Sequence, residues 1–163
     1  MPLPGRTVSP RSASSTPRPL SARLSLSALE LLTQARRALA EAGEHTCPPD
    51  RYAAAHLAAL RGAAAVLAAR SQPPGAVIRR RPTSAWVLLR SMAPELGEWA
   101  TFFAAGARKR AAAEAGSPQA VSAREADDLL REVGTFLAVV ETTLGLPTRP
   151  VPTRPMLGVA QAG

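Results

Sequence analysis

The sequence predicts an all-α protein, folded as an antiparallel four-helix bundle. Apolar residues make up 46% of the 163-residue chain but aromatic residues only 4%, so alanine and leucine must build the core, and alanine favours helix. These apolar residues recur at steps of three and four in four segments, which proline and glycine separate. No segment shows the alternating pattern of a strand. Four amphipathic helices with short connections bury their apolar faces most simply against one another.

The first helix is predicted to open at Ser27 or a turn earlier, near Ser21. Ser27 and Glu30 have the spacing of a capping box, in which each side chain bonds the backbone N–H of the other residue. Gly43 ends the segment, as glycine commonly does. The apolar face of this helix holds Leu24, Ala28, Leu31, Leu32, Ala35, Leu39 and Ala42.

The second helix is predicted to follow Cys47, with Pro48 and Pro49 in its first turn, where the N–H that proline lacks had no partner. It stops at Ser71, at the start of a proline-rich stretch. Small alanine residues around this helix would let its neighbours approach closely. One face carries Tyr52, His56, Ala59, Leu60, Ala63, Leu67 and Arg70.

The third helix is predicted to follow the basic run at 79–81, with Thr83 or Ser84 as its cap. Pro94 interrupts its apolar pattern, and proline both removes a hydrogen bond and clashes with the preceding turn. We therefore expect a kink or a break near Pro94. The helix ends in the basic run at 108–110, and its apolar face holds Trp86, Leu89, Ala93, Leu96, Ala100, Phe103 and Ala107.

The fourth helix has the clearest predicted start, because Ser122 and Glu125 form a second capping box. Gly145 and Pro147 stop it. Its apolar face forms a continuous stripe of Leu129, Leu130, Val133, Phe136, Leu137, Val140 and Leu144.

The bundle is predicted to cover residues 22–146, between a disordered basic arm over residues 1–21 and a proline-rich, flexible tail over residues 147–163. The net charge is +8, but six of these charges belong to arginines that precede Glu30 or follow residue 146. A nearly balanced bundle with basic ends indicates nucleic-acid binding more weakly than the isoelectric point of 11.4 suggests.

The single cysteine, Cys47, excludes an internal disulfide and a cysteine-cluster metal site, and it fits a reducing cytoplasm. His45 lies near it, but two isolated ligands do not make a zinc site. No apolar run approaches the roughly 20 residues of a membrane span. No phosphate-binding loop or dinucleotide fingerprint is present. We therefore expect a cytoplasmic protein with no metal, no small-molecule cofactor and no membrane partner.

Four phrases of the sequence are distinctive when they are taken together. They are Tyr52-Ala-Ala-Ala-His-Leu-Ala-Ala-Leu-Arg61, Arg79-Arg-Arg-Pro-Thr-Ser-Ala-Trp86, Pro94-Glu-Leu-Gly-Glu-Trp99 with Phe102-Phe103, and Ala126-Asp-Asp-Leu-Leu-Arg131. With the order of the helices, they make residues 22–146 resemble an actinobacterial family of HEPN-domain proteins. The resemblance implies an all-helical HEPN bundle, commonly dimeric, of the kind found in toxin–antitoxin, defence and RNA-processing systems.

The resemblance also implies a candidate catalytic pair. Many HEPN domains are metal-independent ribonucleases with an arginine, four to six residues and then a histidine, and Arg51 and His56 match this spacing. A neutral His56 would take the proton from a ribose 2′-hydroxyl, and Arg51 would hold the phosphate oxygens. A five-residue step turns a regular helix by roughly 500°. The two side chains therefore converge only if Arg51 sits at an irregular helix start, or if the sites meet across a dimer.

A structural role is the alternative for both residues, since other HEPN domains lack the motif and act as binding domains. His56 lies on the apolar face with Tyr52, where a buried histidine would bond a facing carboxylate or carbonyl. Arg51 would then pair with an acid such as Asp50 or Glu132.

Two basic clusters are candidate nucleic-acid contacts, namely Arg79, Arg80 and Arg81, and Arg108, Lys109 and Arg110. They lie at opposite ends of the third helix, so they do not form one continuous groove. With few aromatic residues to stack bases, the sequence does not indicate sequence-specific RNA recognition. Loose attraction to phosphates is the weaker alternative.

Three functional hypotheses follow. The first is a small cytoplasmic HEPN-domain protein with a binding or regulatory role, working as a homodimer with a protein or RNA partner. The second is a metal-independent HEPN ribonuclease that uses Arg51 and His56. The third is a structural bundle that its basic tails tether to nucleic acid. Trp86 and Trp99 can either fill the core or contribute to the dimer interface.

Overall fold

The computed structural model describes residues 24–71 and 84–147. These residues form five α-helices and one short 3₁₀ helix, and none of them forms a strand. In chain order the elements are α1 (Leu26–Glu44), α2 (Pro48–Arg70), α3 (Ala85–Met92), the 3₁₀ helix (Pro94–Leu96), α4 (Gly97–Glu114) and α5 (Ala123–Thr143). The prediction of an all-α fold is confirmed.

Contacts along α1 and α5 give the directions of the first helices. Gly134 of α5 lies against Leu39, and Leu130 lies against Gly43, so residue numbers rise along one helix as they fall along the other. α1 and α5 are therefore antiparallel. The short connection between α1 and α2 makes those two helices antiparallel as well, so α2 and α5 run in the same direction.

The fourth long helix, α4, runs against both α2 and α5. Gly106 in the second half of α4 packs on Tyr52 near the start of α2. Glu95, just before α4 begins, forms an ion pair with Arg70 at the end of α2. The long helices α1, α2, α4 and α5 thus alternate in direction, and the predicted antiparallel four-helix bundle is confirmed.

The predicted break near Pro94 is confirmed at Ala93. The backbone leaves the helical region there, with φ −138° and ψ 70°, and Pro94 begins the 3₁₀ helix. Beyond this point the chain folds back, so that the rings of Trp86 and Phe103 stack with their centroids 5.0 Å apart. The third predicted helix is therefore a hairpin of α3 and α4, which returns Trp86 to the core.

The two predicted capping boxes have different outcomes. The box at Ser122 is confirmed, because Glu125 N donates to Ser122 Oγ at 3.3 Å and Ser122 N donates to Glu125 Oε2 at 2.9 Å. The box at Ser27 and Glu30 is wrong. Ser25, with extended backbone, caps α1 and accepts a hydrogen bond from the backbone N–H three residues later at 3.2 Å, so Ser27 already lies inside the helix.

The central helix of the bundle is α2, whose buried residues are mostly alanine. By length and composition it is the one helix of the described residues that could cross a membrane, although the sequence predicted no segment long and apolar enough. In the bundle, 50% of its most apolar window is buried. Half of this apolar window thus packs inside the bundle.

Residues 1–23, 72–83 and 148–163 lie outside the described residues. The predicted arm (1–21), nearly all of the predicted tail (147–163) and the basic cluster at 79–81 fall there and stay predictions. The described residues carry eleven basic and twelve acidic side chains, whereas the remainder carries nine arginines and no acid. The whole positive surplus of the chain therefore belongs to these three segments.

Candidate functional site

His56 is buried where α2 meets α3 and α4. Only 1% of the residue is exposed, and its Nε2 lies 3.0 Å from the backbone oxygen of Phe103. A carbonyl oxygen only accepts hydrogen bonds, so Nε2 carries the proton and donates it. The other ring nitrogen, Nδ1, is buried without a hydrogen-bond partner among the described residues. Trp86 and Phe103 meet the imidazole edge-on, with ring centroids at 5.7 and 6.0 Å.

The surroundings of His56 favour a neutral imidazole. Burial lowers its pKa, because the charged ring would lose its hydration. The hydrogen bond to the Phe103 carbonyl opposes this change, while the charge of Arg110 adds to it. A buried histidine that bonds a carbonyl is the arrangement that the structural alternative predicted for this residue.

Arg51 lies in the first turns of α2 and is bound by the α1–α2 connection and by α5. Its Nε donates to the backbone oxygen of His45 at 2.9 Å, and a terminal nitrogen forms an ion pair with Asp127 near the start of α5. Asp127, rather than Asp50 or Glu132, is therefore the acid that pairs with it. These contacts fasten the α1–α2 connection to α5.

The structure gives Arg51 and His56 different neighbours. Arg51 faces α5, whereas His56 faces α3 and α4. A five-residue step in a regular helix separates two side-chain directions by about 140°, and the contacts agree with that divergence. Within one chain the two side chains thus contact different helices, and their assignment as a catalytic pair stays a prediction.

A groove runs between α4 and α5. Beneath it, the ring of Phe136 packs on Phe103 and Trp99, with centroids at 5.1 and 5.6 Å, and these rings hold the two helix backbones apart. One part of the groove, with a volume of 270 Å³, reaches down to Tyr52 and His56. A neighbouring part of 350 Å³ continues along α5. We call this feature the α4–α5 groove.

Tyr52 lies at the floor of the α4–α5 groove, where its two parts meet. A Cβ atom on Gly106 would lie 2.9 Å from the Tyr52 hydroxyl oxygen, so glycine at this position leaves room for the phenol. Burial raises the pKa of Tyr52, and the nearby charge of Lys109 opposes that rise. The floor therefore presents a neutral hydroxyl, which can both donate and accept a hydrogen bond.

An ion pair closes one end of the α4–α5 groove. Lys109 Nζ donates to Glu125 Oε1. This hydrogen bond, together with the bonds that Ser122 donates to Glu125, lowers the pKa of Glu125 to about 2. The Lys109–Glu125 bond also raises the pKa of Lys109. Arg110 pairs with Glu114 at 3.0 Å. Of the predicted nucleic-acid cluster at 108–110, two side chains are thus engaged by carboxylates. Arg108 forms no ion pair with a described residue.

The other end of the groove is aromatic and acidic. Glu98, Trp99, Phe102 and Glu132 form it, and we call it the aromatic–acidic end. Phe102 is 45% exposed, and neither carboxylate forms an ion pair within the described part of the chain. The sequence predictions missed this surface. The one signal for it was that Glu98 and Phe102 stand four residues apart, off the predicted apolar face.

The described residues offer no site for a metal ion. No group of three or more histidine, cysteine, aspartate or glutamate side chains comes together within 24–71 and 84–147. Cys47 is exposed and free.

Comparison with known proteins relates the chain to a protein family. The model of the family described as SAV_6107-like HEPN matches residues 42–141. No curated protein and no solved structure matches the chain. The family match covers more than half of the sequence, from the end of α1 nearly to the end of α5, and so includes both walls of the α4–α5 groove.

Proposed function

The chain belongs to the SAV_6107-like HEPN family, and from that premise we propose that it is a HEPN domain that acts by binding and does not itself cut RNA. HEPN domains commonly form dimers and are often associated with ribonuclease or toxin–antitoxin roles. The proposal extends to the setting: a homodimeric regulatory component of a toxin–antitoxin, defence or RNA-related system in the cytoplasm, with a protein or RNA partner.

The engagement of His56 is the observation that carries the proposal. A general base must come within hydrogen-bond reach of the proton it removes. Because Nε2 of His56 carries the proton and donates it to the Phe103 carbonyl, the basic nitrogen is Nδ1, and that atom is buried inside the bundle. Arg51, which would hold the phosphate, is already paired with Asp127. The geometry therefore supports a structural role for both residues.

The α4–α5 groove supports a binding role. Binding sites in proteins are usually concave and largely apolar, with a few polar groups that orient the ligand. The groove combines the exposed ring of Phe102 with the hydroxyl of Tyr52 and the carboxylates of Glu98 and Glu132. It is lined by three helices of the family-matched region.

The proposal is tested by incubating the purified protein with total RNA in EDTA, beside two matched histidine variants. In His56→Gln the amide nitrogen can still donate to the Phe103 carbonyl, but the side chain cannot act as a base at neutral pH. His45→Gln makes the same replacement in the exposed connection. We expect no cleavage by any of the three proteins. Cleavage by the wild type and by His45→Gln that disappears in His56→Gln would replace the proposal with the ribonuclease alternative.

The homodimer is tested by measuring the molar mass in solution. Light scattering after size exclusion is expected to give twice the chain mass of 17.0 kDa. A mass of one chain throughout a dilution series would reject the dimer.

Tail-driven binding to nucleic acid is the second candidate function, because the two tails, residues 1–21 and 148–163, carry five arginines and no acid. It predicts that the affinity for RNA falls steeply with salt, since each phosphate contact releases a counterion. The measurement compares the full chain with a chain that lacks residues 1–21 and 148–163. A salt dependence equal in the two proteins would reject this candidate.

A further inference from the structure

The outward side of α4 is exposed, although most of its side chains are uncharged. Between positions 98 and 108, the exposed residues are Glu98, Thr101, Phe102, Ala104, Ala105 and Arg108, and only the first and the last of them carry a charge. The ring of Phe102 is among the large apolar groups that the bundle leaves uncovered. A helix with apolar residues on its inward and outward sides is typical of one that is covered on both. We call these six residues the outer face of α4.

The outer face of α4 is symmetric about the buried Phe103. Each exposed residue has a counterpart at the same distance on the other side of Phe103, namely Glu98 with Arg108, Thr101 with Ala105 and Phe102 with Ala104. Since successive residues of a helix turn by about 100°, the two members of each pair lie at equal angles to either side of the direction that points away from Phe103. A two-fold axis along that direction would bring each residue opposite its counterpart in a second copy, as in an isologous interface.

The charges at the two ends of the outer face complement each other under this symmetry. Glu98 and Arg108 stand ten residues apart, about 15 Å along one helix, so they do not pair within one chain. Neither forms an ion pair with a described residue, although Glu98 lines a cavity together with Arg90. In an antiparallel pair of α4 helices, each Glu98 would lie opposite Arg108 of the partner subunit, which gives two ion pairs.

A hollow beside Ala104 has room for the ring of Phe102 from a second copy. The hollow lies between α3 and α4, has a volume of 350 Å³, and is lined by Val87 and Ala104 among others. The two-fold symmetry places Phe102 of the partner subunit opposite Ala104, whose small side chain leaves this space open. The ring would also cover Val87, which is 50% exposed. Shape and charge therefore favour the same arrangement of two copies.

We propose that the outer face of α4 is the interface of a homodimer, in which two α4 helices pack antiparallel and each Glu98 binds Arg108 of the partner subunit. The inference rests on the homodimer of the proposed function and names the surface that forms it. Glu98 and Phe102 also belong to the aromatic–acidic end of the α4–α5 groove. Arg108 of the partner subunit therefore completes this end of the groove.

Charge reversal tests the pairing, because every substitution acts twice in a homodimer. Glu98→Arg places two guanidinium groups opposite each other, and Arg108→Glu places two carboxylates opposite each other. Each variant is expected to raise the Kd of the dimer at least about tenfold, since like charges brought together at an interface cost several kcal/mol. The double variant restores both ion pairs with their signs exchanged, and its Kd is expected to return close to that of the wild type.

The Kd is measured by sedimentation equilibrium over a dilution series of the full chain. Arg37→Glu and Glu41→Arg are the matched controls, because they make the same charge changes at exposed positions of α1. Both controls are expected to leave the Kd unchanged. All four substituted positions are exposed, so circular dichroism is expected to show the wild-type helix content in every variant.

Three results would overturn the proposal, and they separate it from the proposed function. A dimer whose Kd is the same in the wild type, Glu98→Arg and Arg108→Glu would place the interface on another surface, while the homodimer itself would stand. A double variant that dimerises as weakly as the single variants would reject the pairing of these two side chains. A wild type that stays monomeric throughout would reject the homodimer as well, and would leave the outer face of α4 to a different partner.

Discussion

Replacing Gly62 with alanine tests the close packing of α2 on α5, which supports the floor of the α4–α5 groove. Alanine is ordinarily favoured over glycine inside a helix by about 1 kcal/mol. At this position, however, the added Cβ would lie 2.5 Å from Leu137 Cδ2 and 3.3 Å from Phe136 Cε1. Both side chains are fully buried, so neither can move into open space.

The steric effect is therefore expected to exceed the gain in helix propensity. Overpacking a well-filled core costs typically 1–3 kcal/mol, and a contact more than 1 Å too short belongs at about the upper end of that range. With about 1 kcal/mol of propensity set against it, Gly62→Ala is expected to reduce the free energy of unfolding by about 2 kcal/mol. In a domain of this size, that change lowers Tm by roughly 8 °C.

Gly134→Ala is the matched control on the facing helix. A Cβ there would meet Leu39 Cδ2 at 3.8 Å, an ordinary contact, so the propensity term remains and we expect a gain of about 0.5–1 kcal/mol. Urea denaturation of the two variants and the wild type measures both effects. The reasoning is refuted if Gly62→Ala is as stable as Gly134→Ala, because α2 and α5 would then not approach each other as described.

Three further outcomes follow from single contacts. Burial lowers the pKa of His56, so below pH about 6.5 the unfolded chain binds a proton more readily than the folded chain, and the free energy of unfolding falls as the pH drops towards the folded pKa. Measured by urea denaturation between pH 5 and 7, this free energy is expected to change less with pH in His56→Gln than in the wild type. An equal pH dependence in the two proteins would contradict a lowered pKa for His56. Arg36 donates to both oxygens of the nearly buried Glu141 at 2.7 and 2.6 Å, so Arg36→Ala is expected to lower the free energy of unfolding by about 2 kcal/mol. A decrease below ~0.5 kcal/mol, as for an exposed ion pair, would argue against a stabilising role for this pair. Gly106→Ala is expected to displace the hydroxyl of Tyr52, the chain's single tyrosine; unchanged NMR signals of that ring would rule out the close approach.

The local features of the fold were predictable from the sequence. The capping box of Ser122 and Glu125 identified the start of α5, and Pro94 identified the break at Ala93, because both effects act between residues close in the chain. The start of α1 was misassigned because Ser25 and Ser27 both stand before helix-forming residues. Which of the two serines caps the helix depends on which one has an extended backbone in the folded protein, and that serine is Ser25.

The candidate site was much less accessible to sequence reasoning. The phase of α2 placed His56 on an apolar face, but its bond to the Phe103 carbonyl joins residues 47 apart. The pairing of Arg51 with Asp127 spans 76 positions. The groove itself depends on the separation of α4 and α5, which no local pattern encodes, and Phe102 becomes part of a surface only because the neighbouring Phe103 turns inward.

The aromatic rings beneath the α4–α5 groove act as spacers between two helices. Phe103 and Phe136 are fully buried, yet the size of their rings determines the distance between α4 and α5 and hence the width of the groove. Substitutions at these two positions would therefore change the width of the groove through residues that a ligand never meets, while the alanine-lined contact of α1 with α2 contains no large side chain that could be varied in the same way. The width of the groove and its surface chemistry thus depend on separate sets of residues: buried rings determine the first, and the side chains that line the groove determine the second.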